Sequence, residues 1–124
     1  NLDKHVEFLG DLPQTEIIEL FKKAKLLIHT SKFETFGLVA IEANMMGVPV
    51  LSTNNGSLME IIENNKNGFL FENLIDSNVN NFVNNLFNDD TKYEKIYLSC
   101  IEKSKKYDWV KTANELDSLY QELV

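Results

Sequence analysis

Two carboxylates in the stretch "SKFETFGLVAIEANMMGVPV", residues 31–50, have the type and spacing to do chemistry. Glu34 stands in a connection ahead of a helical pattern, and Glu42, after seven intervening residues, falls on that pattern. Leu38, Ile41, Met45 and Met46 mark an apolar stripe, and Glu42 lies four residues after Leu38 and four before Met46. An acid on an apolar side is costly to desolvate unless donors meet it. Two readings follow for Glu42: a structural bond to a nearby N–H or lysine, or a pair of ligand hydroxyls such as a ribose diol held by both oxygens. Glu34 either holds hydroxyls of a sugar or is solvated. Between the two acids, Phe36-Gly37-Leu38 opens the helix with free backbone N–H groups at the positive end of its dipole. Such a terminus suits an anion, most naturally phosphate, and Gly37 has no side chain to block a phosphate oxygen.

Other candidates carry less. Cys100 is the lone cysteine and lies in a helical pattern, which reads as a small core residue and excludes an internal disulfide. His29 falls near the carboxyl end of a strand pattern but is not counted among ligands, and His5 reads as surface. Asn55-Gly56 marks a turn, Asp89-Asp90 a helix cap, and Lys32 a solvated cation. Trp109 and Tyr120 fit helix packing, and no cluster with metal-ligand spacing is visible.

The elements that must position these residues alternate along 124 residues, a length suited to one domain. Short apolar runs at residues 6–9, 26–29, 50–53 and 68–71 read as strands. Helical patterns cover residues 15–23 (capped by Thr15, with Ile17, Ile18 and Phe21 buried), 36–46 and 57–64. Three more follow at 77–88, 91–107 and 109–123. Strands separated by helices imply parallel pairing through right-handed crossovers. The runs "LLI" and "VPVL" fit strands buried on both faces. The class is α/β: an open parallel sheet flanked by helices, whose ligands bind beyond the strands' carboxyl ends.

The formal charge is −7 and all 12 basic residues are lysine. An acidic chain without arginine is a poor partner for nucleic acid and lacks the bidentate clamp that grips a diphosphate. No apolar run approaches a membrane span and nothing at Asn1 resembles a signal peptide, so a reducing, cytoplasmic setting is expected.

The run "SKFETFGLVAIEANMMGVPVLSTNNGSLMEII" resembles the C-terminal, nucleotide-sugar-binding domain of family 4 retaining glycosyltransferases of the GT-B fold. That family's pattern is E-x-F-G, a second Glu after seven residues, Gly-x-Pro-Val, and a glycine followed by Glu. The matching positions are Glu34, Phe36, Gly37, Glu42, Ala43, Gly47, Pro49, Val50, Gly56 and Glu60. The likeness extends to "VEFLG", "NGFLF" and "YDWVKTANELDSLYQEL", nearly the whole chain. Thr30-Ser31 and Asn55-Gly56 depart mildly from the family's Pro-Ser and Gly-Gly.

The resemblance implies that Glu34 faces hydroxyls of the donor sugar and Glu42 the ribose hydroxyls. Backbone N–H groups of Phe36, Gly37 and Leu38 would meet sugar and diphosphate, and the loop around Leu9 and Gly10 would hold the base. It implies transfer from a UDP-, GDP- or ADP-sugar with retention at the anomeric carbon, without metal or other cofactor. It also implies that the chain is one incomplete domain starting at strand 3 of a sheet ordered 3-2-1-4-5-6. The diphosphate-binding cations and the acceptor-binding domain, with any peripheral membrane association, would lie elsewhere. The alternative is a non-catalytic donor-binding module that works with a separate acceptor-binding subunit. On this topology residues 26–29 pair in parallel with 50–53, and residues 6–9 stay detached from 26–29.

Overall fold

The computed structural model describes residues 2–123 and places three parallel strands between two helical layers. In chain order the elements are α1 (Gln14–Lys23), β1 (Leu27–His29), α2 (Leu38–Met45), β2 (Val50–Thr53), α3 (Leu58–Ile61) and β3 (Gly68–Phe71). Then come α4 (Ser77–Phe87), α5 (Asp90–Ser104), a 3-10 turn at Lys105–Tyr107 and α6 (Trp109–Glu122). The sheet order is β1-β2-β3, with Leu27 opposite Val50, His29 opposite Ser52, and Thr53 opposite Phe71. The expected parallel pairing of the second and third strand patterns is therefore present.

Alternation along the strands divides the core. Val50 packs with Phe21, Ala40, Ile41, Leu58 and Ile61 on the face covered by α1, α2 and α3. Its neighbour Leu51 points the other way, to Phe69, Val79, Leu86, Ile96 and Cys100 under α4 and α5. Cys100 is fully buried, and that burial pushes its thiol up to about 12, as suits a small core side chain. Asp76, Asp89 and Asp108 cap α4, α5 and α6, each accepting from a backbone N–H of the first turn at 2.8–2.9 Å.

Several expectations are corrected. Residues 6–9 form no strand: Val6, Phe8 and Leu9 are exposed, Phe8 at 95%. A strand's hydrogen bonds need a neighbouring edge, and among the described residues none lies beside this segment. It is detached from β1, as the topology implied. Thr15 does not cap α1; Pro13 does, its carbonyl accepting from the N–H groups of Glu16 and Ile17, and Phe21 is the buried anchor. The β1 run is not buried on both faces, because Ile28 is exposed on an edge strand. The helix expected over 57–64 stops at Ile61, because Ile62 turns extended and Asn65 takes a positive φ of 63°. Trp109 and Tyr120 do not pack; both are exposed, and α6 has no buried residue. No helix among the described residues is long and apolar enough to cross a membrane.

A buried asparagine pair fixes α2 against the sheet. Asn44 donates to the carbonyls of Val48 and Asn67, each at 3.0 Å. Asn67 donates to Asn44 Oδ1 at 2.7 Å and to the Ile61 carbonyl at 2.9 Å. These contacts satisfy the amide donors and tie the end of α2 to the turn before β3.

Candidate functional site

The site lies at the carboxyl ends of β1 and β2, where loops run into α2 and α3. Glu34 is not solvated. Its Oε1 accepts from the backbone N–H of Gly37 at 3.0 Å and of Phe36 at 3.3 Å, and its Oε2 lies 3.2 Å from His29 Nε2. The Phe36 N–H, then the Gly37 N–H, hold the carboxyl below the usual glutamate range; partial burial opposes them and the nearby His29 adds to the lowering. Glu34 is thus an ionised acceptor at neutral pH. With its side chain 22% exposed, it retains accessible lone pairs.

The helix starts later than expected. Phe36 and Gly37 precede α2, and Gly37 is its N-cap with φ +80°, a left-handed conformation that favours glycine. A Cβ there would come within 2.8 Å of Ile61 Cδ1. The N–H groups of Phe36 and Gly37, expected to be free for sugar and diphosphate, are held by Glu34. Those of Leu38 and Val39 begin the helix and have no intrahelical acceptor.

The turn after β2 supports this loop. Asn55 Nδ2 donates to the Ser31 carbonyl at 2.7 Å and to Thr53 Oγ1 at 2.6 Å. The Ser57 N–H and hydroxyl both reach the Glu34 carbonyl. Gly56 has φ +47°, and a Cβ on it would lie 2.4 Å from that carbonyl oxygen.

Glu42 sits further along α2 among Leu38, Ile41, Met45 and Met46, but that stripe lines a cleft instead of filling the core. The buried side of α2 is Ala40, Ile41, Ala43 and Asn44, whereas Leu38 and Met45 are 57% and 44% exposed. Small residues let α2 approach the sheet, which turns the larger ones outward. Half-buried Glu42 accepts from Gln14 Nε2 of α1 at 2.9 Å. Glu42, Gln14, Phe36 and Leu38 border an apolar cleft of about 440 Å³ between α1, α2 and the start of α6. Ile18, Ile41, Met46, Tyr107 and Trp109 also line it.

Of the expected site residues, the structure joins Glu34 to Phe36 and Gly37, and places Phe36, Leu38 and Glu42 on one cleft. Leu9 and Gly10 are not on that cleft; Leu9 borders a separate depression with Leu12, Glu16 and Leu20, and Gly10 is exposed with φ +66°. Sequence reading missed His29 and Gln14 as partners of the two acids. The placement of His29 at a strand's carboxyl end was the available signal.

Comparison with known proteins decides the family. The family model described as "Glycosyl transferases group 1" matches residues 1–107. The chain belongs to that family. Among curated group 1 relatives, the D-inositol 3-phosphate glycosyltransferase of Corynebacterium efficiens is 29% identical over 121 residues. The match covers 98% of this chain but 28% of that protein. A second such enzyme, from Corynebacterium glutamicum, is 27% identical across 99% of this chain and 29% of its own length. The chain thus spans under a third of these group 1 relatives.

Solved structures agree on the fold. Anabaena Alr3699/HepE, determined with UDP and glucose, superposes with a TM-score of 0.84 at 29% identity. It covers 99% of this chain, which in turn spans 33% of it. Sucrose-phosphate synthase from Thermosynechococcus elongatus gives a TM-score of 0.85 at 26% identity, covering 99% of this chain and 31% of its own. The group 1 chain therefore has the α/β architecture of the GT-B C-terminal domain.

Proposed function

We propose that this chain is the nucleotide-sugar-binding part of a retaining glycosyltransferase. The observation that supports it best is the pairing of two acids in different states of readiness. Glu34 is held ionised by protein donors at a strand's carboxyl end, and Glu42 stands further along on α2, at the rim of a cleft. Glu34 receives sugar hydroxyls, and Glu42 exchanges its bond with Gln14 for the ribose diol. The free N–H groups of Leu38 and Val39 meet the diphosphate, which reaches Phe36 and Gly37 only by displacing Glu34 Oε1. The segment around Leu9 and Gly10 folds over the base through backbone bonds. Transfer proceeds by departure of the nucleoside diphosphate, whose developing charge is stabilised by these donors and by cations outside this chain. The UDP held by a structural neighbour supports a nucleotide donor. A cytoplasmic setting accords with Cys100 remaining a free thiol.

The test is calorimetric titration of the full-length protein with UDP-, GDP- and ADP-sugars, followed by NMR of the product's anomeric configuration. Binding of one donor class and a retained anomer are expected; absence of binding to all three, or inversion, would reject the reading. Glu34→Gln should lower turnover more than affinity for the free nucleotide. Equal loss of affinity for the nucleotide and the nucleotide sugar would contradict the division of roles.

A further inference from the structure

We infer that His29 is a positioning residue that registers Glu34 to the sheet. The carboxylate has two kinds of partner. Oε1 is held by the N–H groups of Phe36 and Gly37, which belong to its own loop and move with it. Oε2 meets His29, the last residue of β1, whose backbone is fixed by pairing opposite Ser52 and by the Ser52 hydroxyl donating to its carbonyl at 3.0 Å. Among the described residues, His29 is the sheet-borne contact of this acid. Its side chain is only 9% exposed, and its Nδ1 is buried without a protein partner. A proton on Nε2 gives Glu34 a donor and leaves Nδ1 a bare lone pair; a proton on Nδ1 alone would bury an unpaired N–H and set two acceptors face to face. Burial and geometry thus select one tautomer, aimed at Glu34.

The contact matters through precision. A polar pair of low exposure is weak evidence for stability, because desolvation offsets the attraction. Misplacing a reacting group by about 1 Å can cost roughly a hundredfold in rate. The consequence for the donor rests on the proposed role of Glu34; the contact itself does not.

The experiment therefore has a ligand-free arm and a ligand arm, both on full-length protein. In the first, ¹⁵N spectra of wild-type His29 should show a proton on Nε2, and its absence overturns the inference. The Glu34 carboxyl, followed by ¹³C, should titrate at higher pH in His29→Leu than in wild type, with His29→Gln, which keeps a donor, restoring it. An unmoved midpoint in a folded His29→Leu overturns the inference; if that variant does not fold, the wild-type tautomer and His29→Gln decide it. In the second arm, run with whichever of the UDP-, GDP- and ADP-sugars wild type binds, His29→Leu should weaken nucleotide-sugar binding about fivefold while affinity for the matching free nucleotide stays unchanged, with His29→Gln again restoring binding. Equal loss for both ligands marks a merely structural role and overturns the inference. If wild type binds neither UDP nor any nucleotide sugar, the donor-site reading fails, and the tautomer and titration judge His29 alone.

Discussion

Ser57 donates twice to the carbonyl of Glu34, from its backbone N–H at 3.3 Å and its hydroxyl at 3.4 Å. The turn after β2 therefore carries the loop that presents the acid, and neighbouring Gly56 is where that support tolerates least change. Its φ is +47°, and a methyl group at this position would meet the same carbonyl oxygen at 2.4 Å, which leaves no room for a side chain. Gly56→Ala should destabilise the fold by roughly 1–3 kcal/mol and weaken binding of a nucleotide sugar more than of free nucleotide. Urea unfolding and calorimetry would show it; an alanine variant with wild-type stability and affinity would mean that the two loops are not coupled.

Glu42 gives a second prediction. Exchanging its carboxylate for an amide removes one anionic acceptor while keeping the side chain's shape. Hydrogen bonds to charged groups contribute about 1.5–3 kcal/mol, so Glu42→Gln should cost at least about tenfold in nucleotide affinity. Unchanged affinity in a folded variant would confine Glu42 to its 2.9 Å bond with Gln14, a link between α1 and α2.

The acid titration follows from the state of Glu34. Its folded carboxyl is held below the usual range by the Phe36 and Gly37 N–H groups, so the folded state binds this proton less readily than the unfolded chain. The contribution to stability is fully present above the ordinary glutamate value of about 4.3 and is lost as pH falls through the lowered folded value. Urea unfolding from neutral pH into that acid range should show a steeper loss in wild type than in Glu34→Gln. Parallel curves would mean that Glu34 has no such linkage.

Legibility in the sequence divides by distance along the chain. The strands at 50–53 and 68–71 have the boundaries that their apolar runs suggested, and Asp89 caps α5 as its position ahead of a helical pattern implied. The two acids and Phe36-Gly37 were legible because the motif is local. What held Glu34 was legible only in part: His29 precedes it in the same connection, at a strand's carboxyl end, whereas Ser57 lies in a turn 23 residues away that only the crossover brings near. The apolar face of α2 was misread for a different reason. Hydrophobic size pointed to Leu38 and Met45, but close packing of helix on sheet selected Ala40 and Ala43.

Residues 6–9 supply the last prediction, because there a strand pattern meets no edge to complete it. Val6 and Phe8 are exposed, and the ladder of β1 is shared with β2 alone among the described residues. Backbone amides without ladder partners open at almost no free-energy cost, whereas those of a central strand exchange only with broad unfolding. Hydrogen exchange on the 124-residue chain should therefore be fast at residues 6–9 and slow at Leu51 and Ser52, which sit between β1 and β3. Phe8→Ser should leave stability within about 0.5 kcal/mol of wild type, while Phe69→Ala, in the core, should cost roughly 3–5 kcal/mol. Slow exchange at residues 6–9, or a large cost at Phe8, would show that this segment finds a partner strand in solution. Concentration dependence of that protection would then separate pairing with a second copy from pairing within one chain.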